Sequence, residues 1–565
     1  MGASAPYFHK YYMSSDKLKI LMCSEASFLS SGFGTYTKEL LSRLHKTKKY
    51  DLAEFASYGF VNDHRDKNIP WKYYANAVRE NDPRFQEYSA RQDNQFGRWR
   101  FDKVLLDFRP DVVIDIRDYW MSAYQAFSPL RKYFHWILMP TVDSAPQQDD
   151  WIDTYLSADA IFTYSDWGGE VLKNQSHCKI NYINTASPGV DLEIFKQRNV
   201  SDCRKILGID EDALVIGSVM RNQKRKLIPE LLKSFRNALD TLQERSEDDI
   251  AKKIFLYLHT SYPDMGWDIP ELLNELRLSN KVLFTYTCRK CGNVKCSTFC
   301  GAQTVCQKCM TNACFLPSVT DGISQENLSR IYNTFDLYVQ YSICEGFGMP
   351  QVEAGACGIP IATVDYSAMC DIIKKLKAFA IPPQTTFKEL ETKAYRVYPD
   401  GNILTQHMLN FLEQPKPIRK KLGAEVRSLT EKHYNWDDTA KRWEEYLDKL
   451  DSEGYRSNWD APAQYIQHNN IDDKLSNIDN LFRYCTTHMH QIDKIGSYKL
   501  LNLLKESDYG FAFKGPMKVS PTNNKNIEEF FEVYAKSHNI AEKARVSNTT
   551  MNEDYILYAK MKGSS

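Results

Sequence analysis

One pattern constrains this chain more than any other: a short apolar run, a Gly-containing turn and a stretch of helical period follow one another, and the series then starts again. Residues 18–23 (LKILMC) lead into the loop SEASFLSSGFG and the helix-period run TYTKELLSRLH, and VVIDI, WILMP and AIFTYS repeat the theme. Runs of four to eight continuous apolar residues suit strands buried on both faces, and strands alternating with helices give a parallel sheet covered on both sides. The series restarts at LVIGSV before PELLKSFRNALDTL, and KIFLYLH, KVLFTY, DLYVQY and PIATV supply further strands. The sequence therefore predicts an α/β protein with two doubly wound sheets, as 565 residues are too many for one hydrophobic core. The turn-rich connection around Pro188-Gly189 sets a boundary near residue 195. The domains expected are 1–195 and 196–430, then a helix over 431–450 that crosses between them, then a mostly helical extension, 451–565, of unassigned role.

Seventy-two Lys+Arg balance seventy-two Asp+Glu. That balance excludes the global basic field of a protein that grips nucleic acid over its whole surface and leaves only local patches. The N-terminus lacks the apolar core of a signal peptide, and nowhere does an apolar run reach the length of a membrane span, so a cytoplasmic protein is expected. Half of the fourteen cysteines fall within residues 288–314, which is metal-site spacing in a reducing compartment rather than a disulfide framework.

The chemistry concentrates in SICEGFGMPQVEAGACGIPIATV, from residue 342. A strand ends in a Gly-containing turn, and Pro350 suits the first turn of a helix. Glu345 then lies in the loop and Glu353 one turn into the helix. The amides of Gly346, Phe347 and Gly348, with the helix N-terminus behind them, form a ready site for an anion or a sugar hydroxyl. Upstream, GSVMRNQKRK places Arg221 in a turn after a strand and Lys226 at the start of a helix, where two cations can converge on a diphosphate; the simpler reading is a solvated basic cluster. In the first domain, Gly32 and Gly34 of SSGFG permit close backbone approach to a ligand.

The string E-G-F-G-M-P with a second Glu eight positions after the first resembles the E-x7-E motif of retaining glycosyltransferase family 4. The resemblance covers roughly residues 17–450. It implies two Rossmann-like doubly wound domains facing a cleft, the GT-B fold, with a nucleotide-diphosphate sugar as donor. It gives Glu345 to the transferred sugar, Glu353 to the nucleotide ribose, Arg221 and Lys226 to the diphosphate, and Gly32 and Gly34 to the donor phosphates. The segment MPTVDSAP matches a branch of the family, but where many members carry a His before the Asp, this chain has Val142-Asp143. Asp143 is left as a candidate to orient the acceptor hydroxyl or act as base, or as a turn residue; His135, on the preceding strand, is expected in the core. Asp210-Glu211-Asp212 precedes a strand in a turn and reads as loop, so the expected catalysis needs no metal.

Cys288-x2-Cys291 and Cys306-x2-Cys309 match the two knuckles of a zinc ribbon, each bringing two thiolates to one tetrahedral ion. The ribbon, over 287–315, interrupts the second domain and calls for a structural Zn, with Cys296, Cys300 and Cys314 left over. It carries Arg289, Lys290, Lys295 and Lys308 and no acid. The leading reading is a retaining hexosyl- or pentosyltransferase acting on a hydroxyl acceptor. Two alternatives stay open: a hydroxymethylated DNA base as acceptor, and an inactive transferase scaffold carrying a zinc-ribbon binding module. An oligomer is also open.

Overall fold

The computed structural model describes residues 17–450, apart from residue 129 and residues 319–321, together with Trp459. The predicted extension from 451, Trp459 excepted, lies outside the described residues.

The first sheet contains β1 (Leu18–Glu25), β2 (Tyr50–Phe60), β3 (Lys72–Ala77), β4 (Val112–Asp115), β5 (His135–Leu138), β6 (Ala160–Thr163) and β7 (Tyr182–Thr185). Its order is β3-β2-β1-β4-β5-β6-β7, and each neighbouring pair is parallel. β4, β5 and β6 are wholly buried, as their unbroken apolar runs require. β2 and β3 gave no such signal because their composition is mixed. Glu54 points inward from β2, where it accepts from Trp71 Nε1 at 2.7 Å and from the Ser27 amide at 3.3 Å.

The second sheet is built on β8 (Leu214–Val219), β9 (Ile254–His259) and β10 (Val282–Cys288), then β11 (Val294–Thr298), β12 (Gln303–Thr304), β13 (Cys314–Phe315), β14 (Leu337–Gln340), β15 (Ile361–Val364) and β16 (Phe379–Ile381). The order β12-β13-β10-β9-β8-β14-β15-β16, with β11 also on β10, puts a parallel core between β10 and β16. The first half of β10 belongs to that core; its last residues, Thr287 and Cys288, run antiparallel to β13, and β11 lines its other edge. The cysteine-rich segment is thus an outgrowth of a core strand rather than a tethered loop. A hairpin, β17 (Pro383–Lys388) and β18 (Tyr395–Pro399), stands apart from both sheets.

Both sheets reverse direction of growth once, between β1 and β4 and between β8 and β14. Ligands of doubly wound sheets bind beyond the strand C-termini at such points. The helix Trp436–Leu447 returns to the first domain: Trp443 stacks on Phe162 at 4.1 Å and donates from Nε1 to the Tyr36 hydroxyl at 2.8 Å. His135 is buried and lies 2.8 Å from the Tyr446 hydroxyl, the core role expected of it. No helix among the described residues is long and apolar enough to cross a membrane.

Candidate active site

The loops after β8 and β14 are tied by the Ile343 amide, which donates to the Arg225 carbonyl at 3.0 Å. This brings Glu345 against the Lys224–Lys226 segment. The Lys226 ammonium pairs with Glu345 Oε1, Gln340 Nε2 donates to the same oxygen at 2.7 Å, and Arg225 Nη1 lies 3.1 Å from Oε2. Burial works against the Glu345 charge, but Lys226 and Arg225 outweigh it and hold the carboxyl down at about 2. Burial pulls the Lys226 ammonium down, with Glu345 opposing.

The cationic pair differs from the one expected. Lys226 sits in a short 3-10 turn, not at a helix start, because Leu227 adopts a left-handed conformation (φ 46°) before the helix Ile228–Glu244 begins. Its partner at Glu345 is Arg225, a residue that the sequence reading gave no role in the site. Arg221 instead makes a two-point pair with Asp264, at 2.8 and 2.9 Å, and its side chain is 41% exposed. Nothing in the local pattern marks Asp264, which is 43 residues further on.

Gly348 (φ 88°) caps the helix Met349–Ala356 in the left-handed region, where a side chain is costly. Glu353 lies on that helix, largely covered; burial pushes its carboxyl up to about 7 against the pull of the Tyr332 hydroxyl, which donates to it at 2.8 Å. The Phe347 ring packs on Tyr434 at 5.6 Å, so only its backbone faces the turn as a ligand group. Gly346 is where the two domains approach: a Cβ there would stand 2.4 Å from Thr141 Cγ2.

On the first domain, Gly32 opens the helix Gly32–Thr47 with empty space around it, and helical carbonyls cannot reach the first amides of that helix. Gly34 is constrained by its own loop: its amide donates to Ser31 Oγ at 3.0 Å, and a Cβ would meet the Leu29 and Ala26 carbonyls at 2.6 and 2.8 Å. Asp143 forms an ion pair with Arg396 Nη1 at 2.9 Å and accepts from Ser144 Oγ at 3.0 Å. No sequence signal marks Asp118, just beyond β4; burial lifts its carboxyl to about 6 against a hydrogen bond from Thr141, with the like charges of Asp143 and Glu25 adding and Arg225 opposing.

In the cysteine-rich segment, Cys288 Sγ lies 3.6 Å from Cys309 Sγ and Cys291 Sγ lies 3.6 Å from Cys306 Sγ, and all four sulfurs fall within 4.8 Å of one another. Tetrahedral zinc with Zn–S of about 2.3 Å requires sulfurs about 3.8 Å apart, so the set fits such an ion. Of the leftover thiols, Cys314 lies against Cys306 and faces Cys288 across the β10–β13 pair, whereas burial pushes Cys296 up to about 12 beside Tyr257 and Cys300 is exposed next to Ser297.

Residues 310–406 match the family described as glycosyl transferases group 1. No curated protein sequence matches the chain. Among solved structures, sucrose-phosphate synthase from Thermosynechococcus elongatus is similar at 18% identity over 77% of this chain and 99% of that one, with a TM-score of 0.55. A glycosyltransferase from Rickettsia africae follows at 12% over 77% and 99%, TM-score 0.52. Anabaena HepE, solved with UDP and glucose, shares 13% over 77% and 100%, TM-score 0.51. The chain has the GT-B fold, and its residues 310–406 are similar to glycosyl transferases group 1.

Proposed function

We propose that this protein is a retaining glycosyltransferase that moves a sugar from a nucleotide-diphosphate sugar to a hydroxyl acceptor. The observation that carries the reading is the meeting of Lys226 and Arg225 on Glu345 at the switch point of the second sheet, beside the N-terminus of the helix Met349–Ala356. UDP and glucose held by HepE, on the same fold, support a nucleotide sugar as donor. In this reading Glu353 takes the ribose, the turn amides of residues 346–348 and the first amides of the helix Gly32–Thr47 take donor oxygens, and Glu345 faces the transferred sugar.

The leaving diphosphate needs its growing charge neutralised. Lys226 and Arg225 supply two cations in a buried setting where such charges act strongly, and Arg221 supplies a third if it exchanges Asp264 for phosphate. Glu345 fixes the first two in place, so little reorganisation is needed as charge develops. Protonation of the departing phosphate by the acceptor hydroxyl, in a front-side displacement, closes the proton balance without a separate base. Asp143, held by Arg396, serves as an orienting group in this scheme.

Cys288, Cys291, Cys306 and Cys309 would hold a zinc ion in a structural role, Cys288 at the end of β10 being joined to the knuckle of Cys306 and Cys309. The paired Glu345 and Glu353 weigh against an inactive scaffold. The test is hydrolysis of nucleotide-diphosphate sugars by purified protein: turnover is expected in the wild type and lost in Glu345→Gln and Lys226→Met with folding intact, and full activity of both variants refutes the reading.

A further inference from the structure

Beside Asp118 the first domain presents aromatic surface that the donor site leaves unused. Tyr119 and Trp120 follow Asp118 directly, in the short helix Tyr119–Ser122, and Trp151 stands on the helix Asp149–Leu156. Tyr119 stacks on Trp151 with centroids 5.0 Å apart and planes 20° apart, and Trp120 meets Trp151 at 6.4 Å and 61°. Hydrogen bonds pin the stack, the Tyr119 hydroxyl donating to the Asp150 carbonyl at 3.4 Å and accepting from Thr154 Oγ1 at 3.4 Å. Trp120 is nevertheless 53% exposed. Beneath the stack, Tyr155 packs edge-on to Tyr119 at 6.0 Å. Its hydroxyl is buried with no partner among the described residues, and its charged neighbours are Asp118 and Asp143. An orphaned buried hydroxyl beside two carboxylates is an unused hydrogen-bonding group.

An exposed indole face receives either the C–H face of a sugar ring or the face of a nucleobase. Charge separates the two. Two acids, Asp118 and Asp143, form the rim of the shelf on the Tyr155 side, while the cations nearby are already paired with acids: Arg225 with Glu345, and Arg396 with Asp143 and Glu389. Such a rim repels a phosphodiester backbone and accepts hydrogen bonds from neutral hydroxyls.

We propose that this shelf is the acceptor subsite, and that its ligand is an uncharged saccharide whose pyranose ring lies on Trp120 and Trp151 with hydroxyls directed to Asp118 and Tyr155. The inference rests on the transferase reading for the word acceptor, but not for the binding itself. Saturation-transfer NMR tests it with methyl glucoside, galactoside and mannoside, and with an oligonucleotide containing 5-hydroxymethylcytosine, each with and without UDP. Transfer to the ring C–H protons of at least one pyranoside is expected, falling at least fivefold in Trp120→Ala and largely kept in Trp120→Phe; UDP affinity serves as the check on folding. Binding of no pyranoside, indifference to Trp120→Ala, or binding of the oligonucleotide in their place overturns the proposal. Pyranoside binding at the shelf without donor turnover upholds the subsite and refutes the transferase reading, so the two fail separately.

Discussion

Arg396, on the hairpin strand β18 of the second domain, reaches across the domain boundary to Asp143, with Nη1 2.9 Å from the carboxylate, while its other nitrogens hold Glu389 at 2.8 and 3.0 Å. The hairpin is further fixed by the Tyr395 amide, which donates to the Ala145 carbonyl at 2.8 Å. The guanidinium thus joins two domains through one planar group. Arg396→Ala leaves Asp143 and the largely covered Glu389 without their cation, and a loss of about 2–4 kcal/mol is expected in chemical denaturation. Arg396→Lys, unable to bridge both acids, should recover less than half of it.

Glu345 and Lys226 form a buried unit, so removing either alone strands a charge. Glu345→Gln and Lys226→Met should each cost about 3–5 kcal/mol, and the double variant less than their sum. Glu345 is held at about 2 instead of its ordinary 4.5, so its contribution is complete above pH 4.5 and fades as pH falls toward 2. Unfolding of wild type and Glu345→Gln, compared across that range, should show the difference shrinking with acid; an unchanged gap contradicts the pairing.

Glu353 moves in the other direction. Its carboxyl, raised from 4.5 to about 7, holds a proton in the folded chain that the unfolded chain has released. Stability relative to Glu353→Gln should therefore fall as pH rises from 4.5 to about 7, by about 3 kcal/mol in all, and level off beyond. A flat difference profile rules out the raised carboxyl.

Gly346 admits no Cβ, because Thr141 Cγ2 occupies that space. Gly346→Ala should destabilise by about 1–3 kcal/mol, and a second change, Thr141→Gly, should return most of the loss. Absence of such recovery in thermal unfolding would place the strain elsewhere.

Metal analysis should find about one zinc per chain, removed by chelation and abolished in Cys288→Ser with Cys309→Ser. Because the first half of β10 pairs with β9 independently of the knuckles, the parallel core should survive metal loss. Hydrogen exchange in residues 288–314 should rise while that of β8 and β9 stays slow.

Much of the architecture was legible because its strands are of the kind that announce themselves. β4, β5, β9 and β15 are short apolar runs between turns, and a fully buried parallel strand has no polar face to obscure it. β2 and the β17–β18 hairpin gave no such signal, since their polar residues are satisfied by distant partners: Glu54 by Trp71, Arg396 by Asp143. In the site, the local strings around Glu345 and the cysteine knuckles could be read from spacing because the loop or knuckle itself sets their geometry.

Sequence alone determined the α/β alternation, the Gly-bounded helix start at Met349 and the two C-x2-C pairs, all of which are short-range properties of the backbone. The tertiary structure decided which cation meets Glu345, that Arg221 goes to Asp264, and that Asp118 stands near Asp143 beside an aromatic shelf. Those pairings join residues tens to hundreds of positions apart, and they are selected by burial and by which charge lies within reach once the sheets have formed, which no window of sequence contains.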